Sequence, residues 1–336
     1  MALLSSDRPL NSTYDAALLD LDGVVYLGSR PVPEAPEAVR TARGAGMRIA
    51  FVTNNASRTP AATAERLTAM GIEAVADEVV TSAEAASRLV AKRFPAGSPV
   101  LVVGDTGVRV ALRVQGLRPV SAAAEHPVAV VQGYSPRMST DLLGEGMRAV
   151  SRGALFVTSN NDATAPGAEG AMPGNGSLAR VIAHATGKEP IVAGKPEPPL
   201  HEEGVQRTGA VSPIVVGDRL DTDIEGAHAR GAASLLVLSG VTSPSDVVHA
   251  PQHARPSYLA SDLTGLNTPH PPTYPDGDGG MRCGGWTAAV RGGEVELTGN
   301  GERLDALRAL CGAVWEAARE GVGSPKTIAA LHRLGY

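Results

Sequence analysis

The sequence predicts an α/β protein with three parts: a Rossmann-like, doubly wound parallel sheet core, an inserted α/β cap domain and a small α+β module at the C-terminal end. One observation predicts the parallel sheets of the core and the cap. Short runs of Val, Ile and Leu alternate with Ala-rich amphipathic stretches over about the first 265 residues, and continuous apolar strands alternating with helices are typical of parallel sheets covered on both faces. A second observation predicts the module, because the composition shifts to Pro and Gly at about residue 267.

The candidate strands are apolar runs that each end in Gly, Asn or Asp. In chain order they are AALLDLDG, RIAFVTNN, PVLVVGD, VAVVQGY, GALFVTSN, SPIVVGD and SLLVLSG. Between them lie helical patterns, several of which close with Gly, such as PEAVRTARGAG, PAATAERLTAMG and TDLLGEGMRAVSRG. In sheets of this kind, ligands collect beyond the carboxyl ends of the strands. The polar residues that follow the apolar runs are therefore the candidate functional residues.

Length, composition and charge argue against several classes of function. The 336 residues favour two or three domains, and 43% hydrophobic with 19% charged residues is typical of a soluble globular protein. A formal charge of −5 and an aromatic content of 3% argue against a nucleic-acid partner. No apolar run is long enough to span a membrane, no signal-peptide pattern is evident, and two cysteines fit a reducing compartment. We therefore expect a cytoplasmic protein with neither nucleic-acid nor membrane partners.

The first candidate motif directly follows the strand run AALL. Asp20 and Asp22 stand two residues apart and are followed by Gly23. Two carboxylates at a strand end repel each other, but a divalent cation between them and a phosphate makes the arrangement favourable. One carboxylate could then attack phosphorus in line, and the second could protonate the departing alkoxide. A solvated turn after a strand is the structural alternative.

Two further motifs suit contacts with a phosphate. Thr53, Asn54 and Asn55 follow the strand run RIAF, where a hydroxyl and backbone N–H groups can hold phosphoryl oxygens. A helix N-cap is the structural alternative for this segment. Lys195 stands between a glycine and a proline, which suits a point charge aimed at a phosphate, although most single lysines are solvated surface groups.

The fourth motif is the most specific. Asp218 follows the strand run PIVVG, and Asp221 and Asp223 come shortly after it. Oxygen ligands at a strand end suit octahedral Mg²⁺, which takes one or two carboxylates and retains several waters. Helix capping by Asp221 or Thr222 is the structural alternative. The order of the four motifs, each at the end of a predicted strand, favours a common site over four separate structural explanations.

These motifs resemble those of the haloacid dehalogenase superfamily, and specifically its NagD-like branch, which includes phosphoglycolate, glycerol-3-phosphate, nitrophenyl phosphate and nucleotide phosphatases. The resemblance covers residues 14–266 and includes DLDGVVYLG, FVTNNASR, GKPEPP and VGDRLDTDI. It implies a Mg²⁺-dependent phosphatase that hydrolyses small phosphate monoesters through an aspartyl-phosphate intermediate.

The resemblance also implies which residues act on the phosphate. Asp20 is the expected nucleophile, and Asp22 is the expected general acid and base. Thr53 and Asn54 are expected to contact phosphate, and Lys195 is expected to neutralise its charge.

The resemblance implies a metal site as well. The expected Mg²⁺ ligands are the Asp20 side chain, the Asp22 carbonyl and Asp218, and Asp223 would support the metal waters or the catalytic lysine. Gly23 and Asn55 complete the expected substrate contacts of the core. Dehalogenases of the superfamily lack the second aspartate of the first motif, so Asp22 argues against that reaction.

The spacing of the motifs predicts where the cap lies. The segment between Asp22 and Thr53 has room for one helix and a short flap only, whereas the segment between Thr53 and Lys195 is far longer than one crossover helix needs. We therefore expect the core at residues 1–80 and 188–267 and the cap at residues 81–187. A lid over the strand ends limits substrate size and favours small metabolites.

Two cap residues, Asn160 and Asp162, are expected to contact the substrate. They lie in a segment that resembles the Thr-Asn-x-Asp segment of the branch, although Ser159 departs from that pattern. An Asx-rich loop that closes the cap sheet is an equally good explanation.

The expected partner is a small phosphorylated metabolite. Glycerol 3-phosphate and 2-phosphoglycolate are the leading candidates because branch members act on them, and pyridoxal phosphate and a nucleotide monophosphate are the alternatives. A catalytically silent regulatory or binding protein on the same scaffold is disfavoured because every motif position is filled. A nucleotide-dependent oxidoreductase would need a G-x-G-x-x-G loop after a strand, and no strand run provides one. Branch members often dimerise through the cap, so a homodimer is a further expectation.

Residues 282–336 are expected to form the C-terminal module, after a linker at residues 268–281. A strand pair turned by Gly292 and Gly293 precedes an amphipathic helix, an arrangement that resembles a fragment of an acetyltransferase-like fold. No loop that could cradle a pyrophosphate supports acetyl transfer. We expect a stabilising or interaction module packed on the core, and its deletion should alter solubility, oligomer state or regulation while leaving hydrolysis detectable. Its expected buried stripe consists of Leu304, Leu307, Leu310, Cys311, Val314 and Trp315.

Overall fold

Strands and helices alternate along most of the chain, and the computed structural model describes residues 2–167 and 170–336. The strands in chain order are β1 (Ala16–Leu19), β2 (Tyr26–Leu27), β3 (Arg30–Pro31), β4 (Arg48–Thr53), β5 (Val79–Thr81), β6 (Pro99–Val103), β7 (Arg118–Val120), β8 (Ala129–Gln132), β9 (Leu155–Thr158), β10 (Thr164–Gly167), β11 (Gly170–Pro173), β12 (Ile191–Val192), β13 (Pro213–Gly217), β14 (Ala233–Val237), β15 (Tyr258–Ala260), β16 (Tyr274–Pro275), β17 (Gly280–Cys283), β18 (Trp286–Arg291) and β19 (Glu294–Gly299).

The α-helices lie between these strands and at the C-terminal end. They are α1 (Leu10–Thr13), α2 (Ala35–Gly44), α3 (Pro60–Ala69), α4 (Ser82–Ala91), α5 (Thr106–Val114), α6 (Thr140–Ser151), α7 (Asn175–Thr186), α8 (Pro198–Thr208), α9 (Glu225–Ala229), α10 (Pro244–Val248), α11 (Arg303–Arg319) and α12 (Ile328–Arg333). Shorter turns of 3-10 or π helix lie at Ala76–Glu78, Ala123–Glu125, Leu220–Ile224, Gln252–Ala254 and Leu263–Asn267. Among the described residues, no helix combines the length and the apolar character that a membrane span requires.

The chain divides into two compact units. The first unit comprises Met1–Ile49, Met70–Ile72 and Thr208–Tyr336, and the second comprises Ala50–Ala69 and Glu73–Arg207. The second unit therefore contains the whole segment expected as the cap, together with flanking residues expected in the core. This grouping reflects proximity alone, so the expected boundaries of core and cap stay predictions.

The first unit contains four parallel strands in the order β15-β14-β13-β1. Leu19 of β1 pairs with Val216 of β13, and the Asp20 N–H donates to the Val216 carbonyl at 2.8 Å. Every residue of β1 is buried, and only the first residue of β13 is not, as expected for strands covered on both faces. Because these strands run parallel and in register, their carboxyl ends bring Asp20 and Asp218 to the same edge of the sheet.

The second unit contains parallel strands as well. β4 pairs with β5, with Thr53 opposite Thr81, and a five-stranded parallel sheet has the order β12-β9-β8-β6-β7. A cluster that includes Leu101, Val130 and Ile182 packs this sheet against α6 and α7. β10 and β11 form an antiparallel hairpin. The parallel strands and covering helices of both units confirm the predicted α/β fold class.

The C-terminal module is an antiparallel sheet in the order β16-β17-β18-β19, followed by α11 and α12. The predicted strand pair is confirmed, because β18 and β19 pair from Trp286 to Gly299 around the Gly292–Gly293 turn. The sheet also extends into the segment expected as a linker. There the Asp276 carboxylate accepts hydrogen bonds from the N–H groups of Asp278 and Gly280, both at 2.8 Å, so that the Pro- and Gly-rich sequence forms a hairpin turn.

Helix α11 lies inside the first unit and is covered on most of its surface. The predicted stripe is confirmed, because all of its members are buried except Leu304, which is partly buried against the same cluster. This cluster also contains Val247 and Val248 of α10 and Leu259 of β15. The Trp315 indole N–H donates to the Val248 carbonyl at 3.1 Å. The module therefore shares one hydrophobic core with the parallel sheet.

Candidate active site

Three carboxylates meet at the carboxyl edge of the sheet in the first unit. Asp20 follows β1, Asp218 follows β13, and Asp223 lies in the π-helical turn that begins two residues after Asp218. One carboxylate oxygen from each lies within 4.8 Å of the others, and Asp218 and Asp223 are both 1% exposed. Buried carboxylates at this separation repel each other unless a cation compensates their charge. The oxygen-only donor set fits Mg²⁺.

The loop that follows β14 holds Asp218 in place. The Val241 N–H donates to Asp218 Oδ2 at 2.6 Å, and the Thr242 N–H donates to the Asp218 carbonyl at 3.1 Å. A Cβ atom on Gly240 would overlap Asp218 Oδ2, so this close approach requires glycine. The loop therefore determines which way the Asp218 carboxylate faces.

The same loop is tied to the first motif. The Ser239 hydroxyl donates to the Gly23 carbonyl at 2.6 Å, and Gly23 has a positive φ of 84°, a conformation that glycine adopts without strain. The Tyr26 hydroxyl donates to Asp22 Oδ2 at 3.4 Å, and the Gly23 N–H donates to the Tyr26 carbonyl at 2.8 Å. Asp22 itself is exposed, which suits a group that exchanges protons with substrate and water.

Sequence reasoning missed four residues of this arrangement: Tyr26, Ser239, Gly240 and Val241. The signal for three of them was present, because the strand run SLLVLSG ends in Ser-Gly and belongs to the same parallel sheet as the two aspartate motifs. Its carboxyl end therefore reaches the same edge. Tyr26 carried no such signal, because only the short β2–β3 flap places it beside Asp22.

The phosphate-contact motifs lie in the second unit. Thr53 ends β4, and Lys195, which is 3% exposed, donates from Nζ to the Val52 carbonyl at 3.3 Å. Asn54 Oδ1 accepts the Lys195 N–H at 2.9 Å, and Asn54 Nδ2 donates to the Lys195 carbonyl at 3.2 Å. The structure thus brings the second and third motifs into direct contact across a long stretch of chain.

Asn160 and Asp162 lie in the same network. Asn160 Nδ2 donates to the Asn54 carbonyl at 2.7 Å, and Asn54 Nδ2 donates to Asp162 Oδ1 at 3.1 Å. The Asp162 N–H donates to Asn160 Oδ1 at 3.1 Å, which is an Asx turn. These contacts support the alternative of an Asx-rich loop, and the expected contacts of both residues with substrate stay predictions.

Asn55 is exposed and organises the turn after β4. Its N–H donates to Thr53 Oγ1 at 3.1 Å, and its own Oδ1 accepts the Ser57 N–H and hydroxyl, both at 2.9 Å. The turn leads into Thr59, whose hydroxyl accepts the Ala62 N–H at 3.2 Å in the first turn of α3. The helix N-cap considered for this motif therefore lies at Thr59, beyond the candidate phosphate contacts.

Each unit thus brings its own candidate residues together. The first unit holds Asp20, Asp22, Gly23, Asp218 and Asp223, and the second holds Thr53, Asn54, Asn55, Asn160, Asp162 and Lys195. The roles that the resemblance implies for these residues stay predictions.

Three family models match the chain. A haloacid dehalogenase-like hydrolase model matches residues 17–118, and a HAD-hydrolase-like model matches residues 192–266. Together they cover all four motifs. A GCN5-related N-acetyltransferase like domain model matches residues 283–336, which is most of the C-terminal module.

Known proteins and solved structures match over larger spans. The chain is 40% identical over 327 residues to the D-glycerol 3-phosphate phosphatase of Mycobacterium tuberculosis, covering 92% of this chain and 88% of that protein. It is 36% identical over 247 residues to the 5'-nucleotidase YutF of Bacillus subtilis, covering 72% and 95%.

Among crystal structures, the Mycobacterium tuberculosis glycerol phosphate phosphatase in complex with magnesium has a TM-score of 0.84 at 40% identity and covers 92% of each chain. The p-nitrophenyl phosphatase from Archaeoglobus fulgidus has a TM-score of 0.70 at 30% identity and covers 75% of this chain and 98% of that one.

The fold, the four motifs and these matches define the class of protein: the chain belongs to the haloacid dehalogenase-like hydrolases. Within that family it lies in the NagD-like branch. It is an enzyme, a phosphoric monoester hydrolase, and its carboxylate cluster fits the Mg²⁺ that the family uses.

Proposed function

We propose that this phosphatase hydrolyses glycerol 3-phosphate. The observation that carries the proposal is the extent of the match to the relative named D-glycerol 3-phosphate phosphatase, which covers 92% of the chain. A match of that extent reaches into residues 283–336, whereas the match to the 5'-nucleotidase covers 72% of the chain. The substrate is also small enough for an enzyme whose cap limits access.

In the first half of the reaction, Asp20 attacks phosphorus and the ester P–O bond breaks. Asp22 donates its proton to the departing glycerol oxygen, so that neutral glycerol leaves. Thr53 and the backbone N–H of Asn54 hold the phosphoryl oxygens, and Lys195 offsets their negative charge. Mg²⁺ held by Asp20, the Asp22 carbonyl and Asp218 would supply the remaining positive charge.

In the second half, water attacks phosphorus of the aspartyl-phosphate. Asp22, now a carboxylate, accepts a proton from this water, and the bond between Asp20 and phosphorus breaks to release inorganic phosphate. The hydrogen bond from the Tyr26 hydroxyl to Asp22 Oδ2 at 3.4 Å supports this role because it orients the carboxyl group. Asp22 therefore acts as the general acid in the first half of the reaction and as the general base in the second half.

Phosphate release from a panel of esters tests the proposal. The panel contains glycerol 3-phosphate, 2-phosphoglycolate, pyridoxal phosphate, a nucleotide monophosphate and nitrophenyl phosphate, each with and without Mg²⁺. We expect the highest kcat/KM for glycerol 3-phosphate, Mg²⁺ dependence, and loss of turnover in Asp20→Asn. Asp141→Asn, which alters an exposed carboxylate in the first turn of α6, is the control that should retain turnover. A higher kcat/KM for the nucleotide would favour the nucleotidase alternative, and no release from any ester would overturn the proposal.

We also propose that the enzyme works in the cytoplasm on a free metabolite. Cys283 and Cys311 are both free and buried, which supports a reducing compartment. The absence of nucleic-acid and membrane partners stays a prediction, and so does the homodimer. Light scattering of the purified protein measures its oligomeric state directly.

A further inference from the structure

The side chain of Asn54 is fully engaged by protein groups. Its Oδ1 accepts the Lys195 N–H at 2.9 Å, while its Nδ2 donates to the Lys195 carbonyl at 3.2 Å and to Asp162 Oδ1 at 3.1 Å. A carboxamide offers one carbonyl oxygen and two N–H donors. Both polar atoms of the Asn54 side chain are thus occupied before any substrate arrives.

These bonds fix the backbone of Lys195 on both sides of its Cα atom. A lysine side chain is long and flexible, and ordering it costs about 2 kcal/mol of rotamer entropy. Here the side chain is 3% exposed and its ammonium group donates to the Val52 carbonyl at 3.3 Å. Asn54 holds the backbone of Lys195, and the carbonyl of Val52, the residue before Thr53, holds its ammonium group. The positive charge of Lys195 therefore has a defined place beside the candidate phosphate contact Thr53.

A second layer of contacts holds Asn54 itself. Its carbonyl accepts hydrogen bonds from the Ser82 hydroxyl at 2.6 Å and from Asn160 Nδ2 at 2.7 Å. Asn175, which is 2% exposed at the start of α7, donates from Nδ2 to the Asn160 carbonyl at 2.9 Å and to Thr158 Oγ1 at 2.7 Å. A chain of hydrogen bonds therefore runs from Asn175 at the start of α7 through Asn160 to Asn54.

We propose that Asn54 is a positioning residue: its side chain places the positive charge of Lys195, and Asn160 and Asn175 hold Asn54 in that position. The inference rests on the proposed role of Lys195 in offsetting phosphate charge. It assigns separate roles to two parts of Asn54: the side chain acts through Lys195, and the backbone N–H is left to face a phosphoryl oxygen.

A double-mutant cycle tests this inference, because Lys195→Ala removes the charge but keeps the backbone groups that Asn54 binds. Asn54→Ala is made in the wild type and in Lys195→Ala, and two quantities are measured: the Kd of orthovanadate by calorimetry with Mg²⁺ present, and the melting temperature. We expect Asn54→Ala to weaken orthovanadate binding about tenfold in the wild type and less than about threefold in the Lys195→Ala background. The melting temperature should fall equally in both backgrounds.

Equal losses of orthovanadate affinity in the two backgrounds would overturn the inference, because they would mean that Asn54 acts on the anion without Lys195. Unchanged affinity in the wild-type background with a lowered melting temperature would overturn it as well, because Asn54 would then be structural only. Asn161→Ala, an exposed neighbour in the Asx loop, is the matched control and should change neither quantity.

Asn175→Ala covers the case in which Asn54→Ala does not fold. We expect the same background dependence with a smaller loss of orthovanadate affinity, because Asn175 acts through Asn160. A loss that persists in the Lys195→Ala background would contradict the inference. Orthovanadate binding does not depend on which ester is the substrate, so failure of the glycerol 3-phosphate proposal leaves the result interpretable.

Discussion

Asp218 is held from three sides by backbone of the first unit. Its carboxylate accepts the Val241 N–H, its carbonyl accepts the Thr242 N–H, and both Gly23 and Gly240 pack against its side chain so closely that a Cβ atom on either would overlap it. Metal ligands held in this way bind with less reorganisation, because their orientation is set before the cation arrives. The cation affinity of the enzyme should therefore depend on residues that never touch the cation.

Gly240→Ala is the sharpest test of that dependence. We expect the Kd for Mg²⁺, measured by calorimetry, to rise at least about tenfold, because the new methyl group displaces the Asp218 carboxylate. Gly44→Ala is the control, since a Cβ atom there meets nothing within 4 Å and Gly44 does not have a positive φ. An unchanged Kd in Gly240→Ala would mean that the loop accommodates the methyl group without moving Asp218.

Asp15 gives a pH-dependent contribution to stability. Burial raises the pKa of its carboxyl, but the N–H groups of Val211 and Ser212 and the Arg48 guanidinium outweigh this effect, so that the pKa lies below its ordinary value. A depressed folded-state pKa stabilises the fold above the unfolded pKa of about 4, and this contribution is lost as pH falls through the folded pKa.

Urea unfolding of Asp15→Asn against the wild type measures this contribution. The variant should be less stable at pH 7, and the difference in unfolding free energy should shrink as pH falls below about 4. A difference that stays constant down to pH 2 would show that the loss comes from geometry and not from charge.

At the same scale, the sequence places the aspartates and the lysine after predicted strands but gives no sign of the hydrogen bonds that the Asn54 side chain makes. The proximity of Asp20 and Asp218 could be predicted from the sequence because a parallel sheet places the residues after its strands along one edge. The contacts of Asn54 with Lys195 and Asp162 depend on the relative placement of three loops. No local pattern encodes that placement, because an Asn side chain can equally hydrogen-bond its own backbone in a turn.

At the scale of elements, an ion cluster around the buried Glu203 attaches α8 to α4 in the second unit. Glu203 of α8 is 3% exposed and its Oε1 accepts hydrogen bonds from Arg88 of α4 at 2.9 Å and from Arg207 at 3.0 Å. Arg207 also donates to Glu84 of α4 at 2.6 Å. Removing the charge of Glu203 takes a counter-charge from Arg88 and from Arg207, whose side chains are 37% and 23% exposed.

Glu203→Gln should therefore lower the free energy of unfolding by about 3 kcal/mol, as measured in urea. Glu202→Gln, at the exposed neighbouring position, should change it by less than about 0.5 kcal/mol. Equal small effects at both positions would indicate that α8 is held by apolar contacts alone.

The elements themselves were largely predictable. Strands such as β13 and β14 are continuous apolar runs that end in a turn residue, and α11 carries the 3.6-residue stripe of a packed helix. β16 and β17 were not predictable, because they are short and lie in a Pro- and Gly-rich sequence that also suits a linker. Their pairing depends on the turn that Asp276 closes.

At the scale of the whole molecule, the burial of α11 changes what removal of the C-terminal module should do. Leu307, Leu310 and Trp315 share one cluster with Val248 and Leu259, so that a chain ending before the module would expose these apolar side chains of α10 and β15. The sequence alone predicts altered solubility, oligomer state or regulation with hydrolysis still detectable. Of these effects, the shared core favours loss of solubility.

A chain that ends at Pro269 tests this prediction by the soluble fraction on expression and by phosphate release. We expect mostly insoluble protein, and full-length Leu310→Ala should lose about 2–5 kcal/mol of unfolding free energy. Ile328→Ala, which alters a side chain that is 67% exposed in the same module, is the control and should be close to the wild type. A soluble truncated chain with wild-type turnover would show that the module is dispensable.

The paired strands β1 and β13 are far apart in the sequence, and this separation determines when the carboxylate cluster can form during synthesis. Asp20 leaves the ribosome about 200 residues before Asp218 and Asp223, an interval of roughly 10–40 seconds at ordinary rates of translation. The carboxylate cluster is therefore incomplete during most of synthesis, and the apolar surface of β15 and α10 stays uncovered until α11 has followed. A chain that ends before Asp218 therefore carries Asp20 without the two other carboxylates of the cluster.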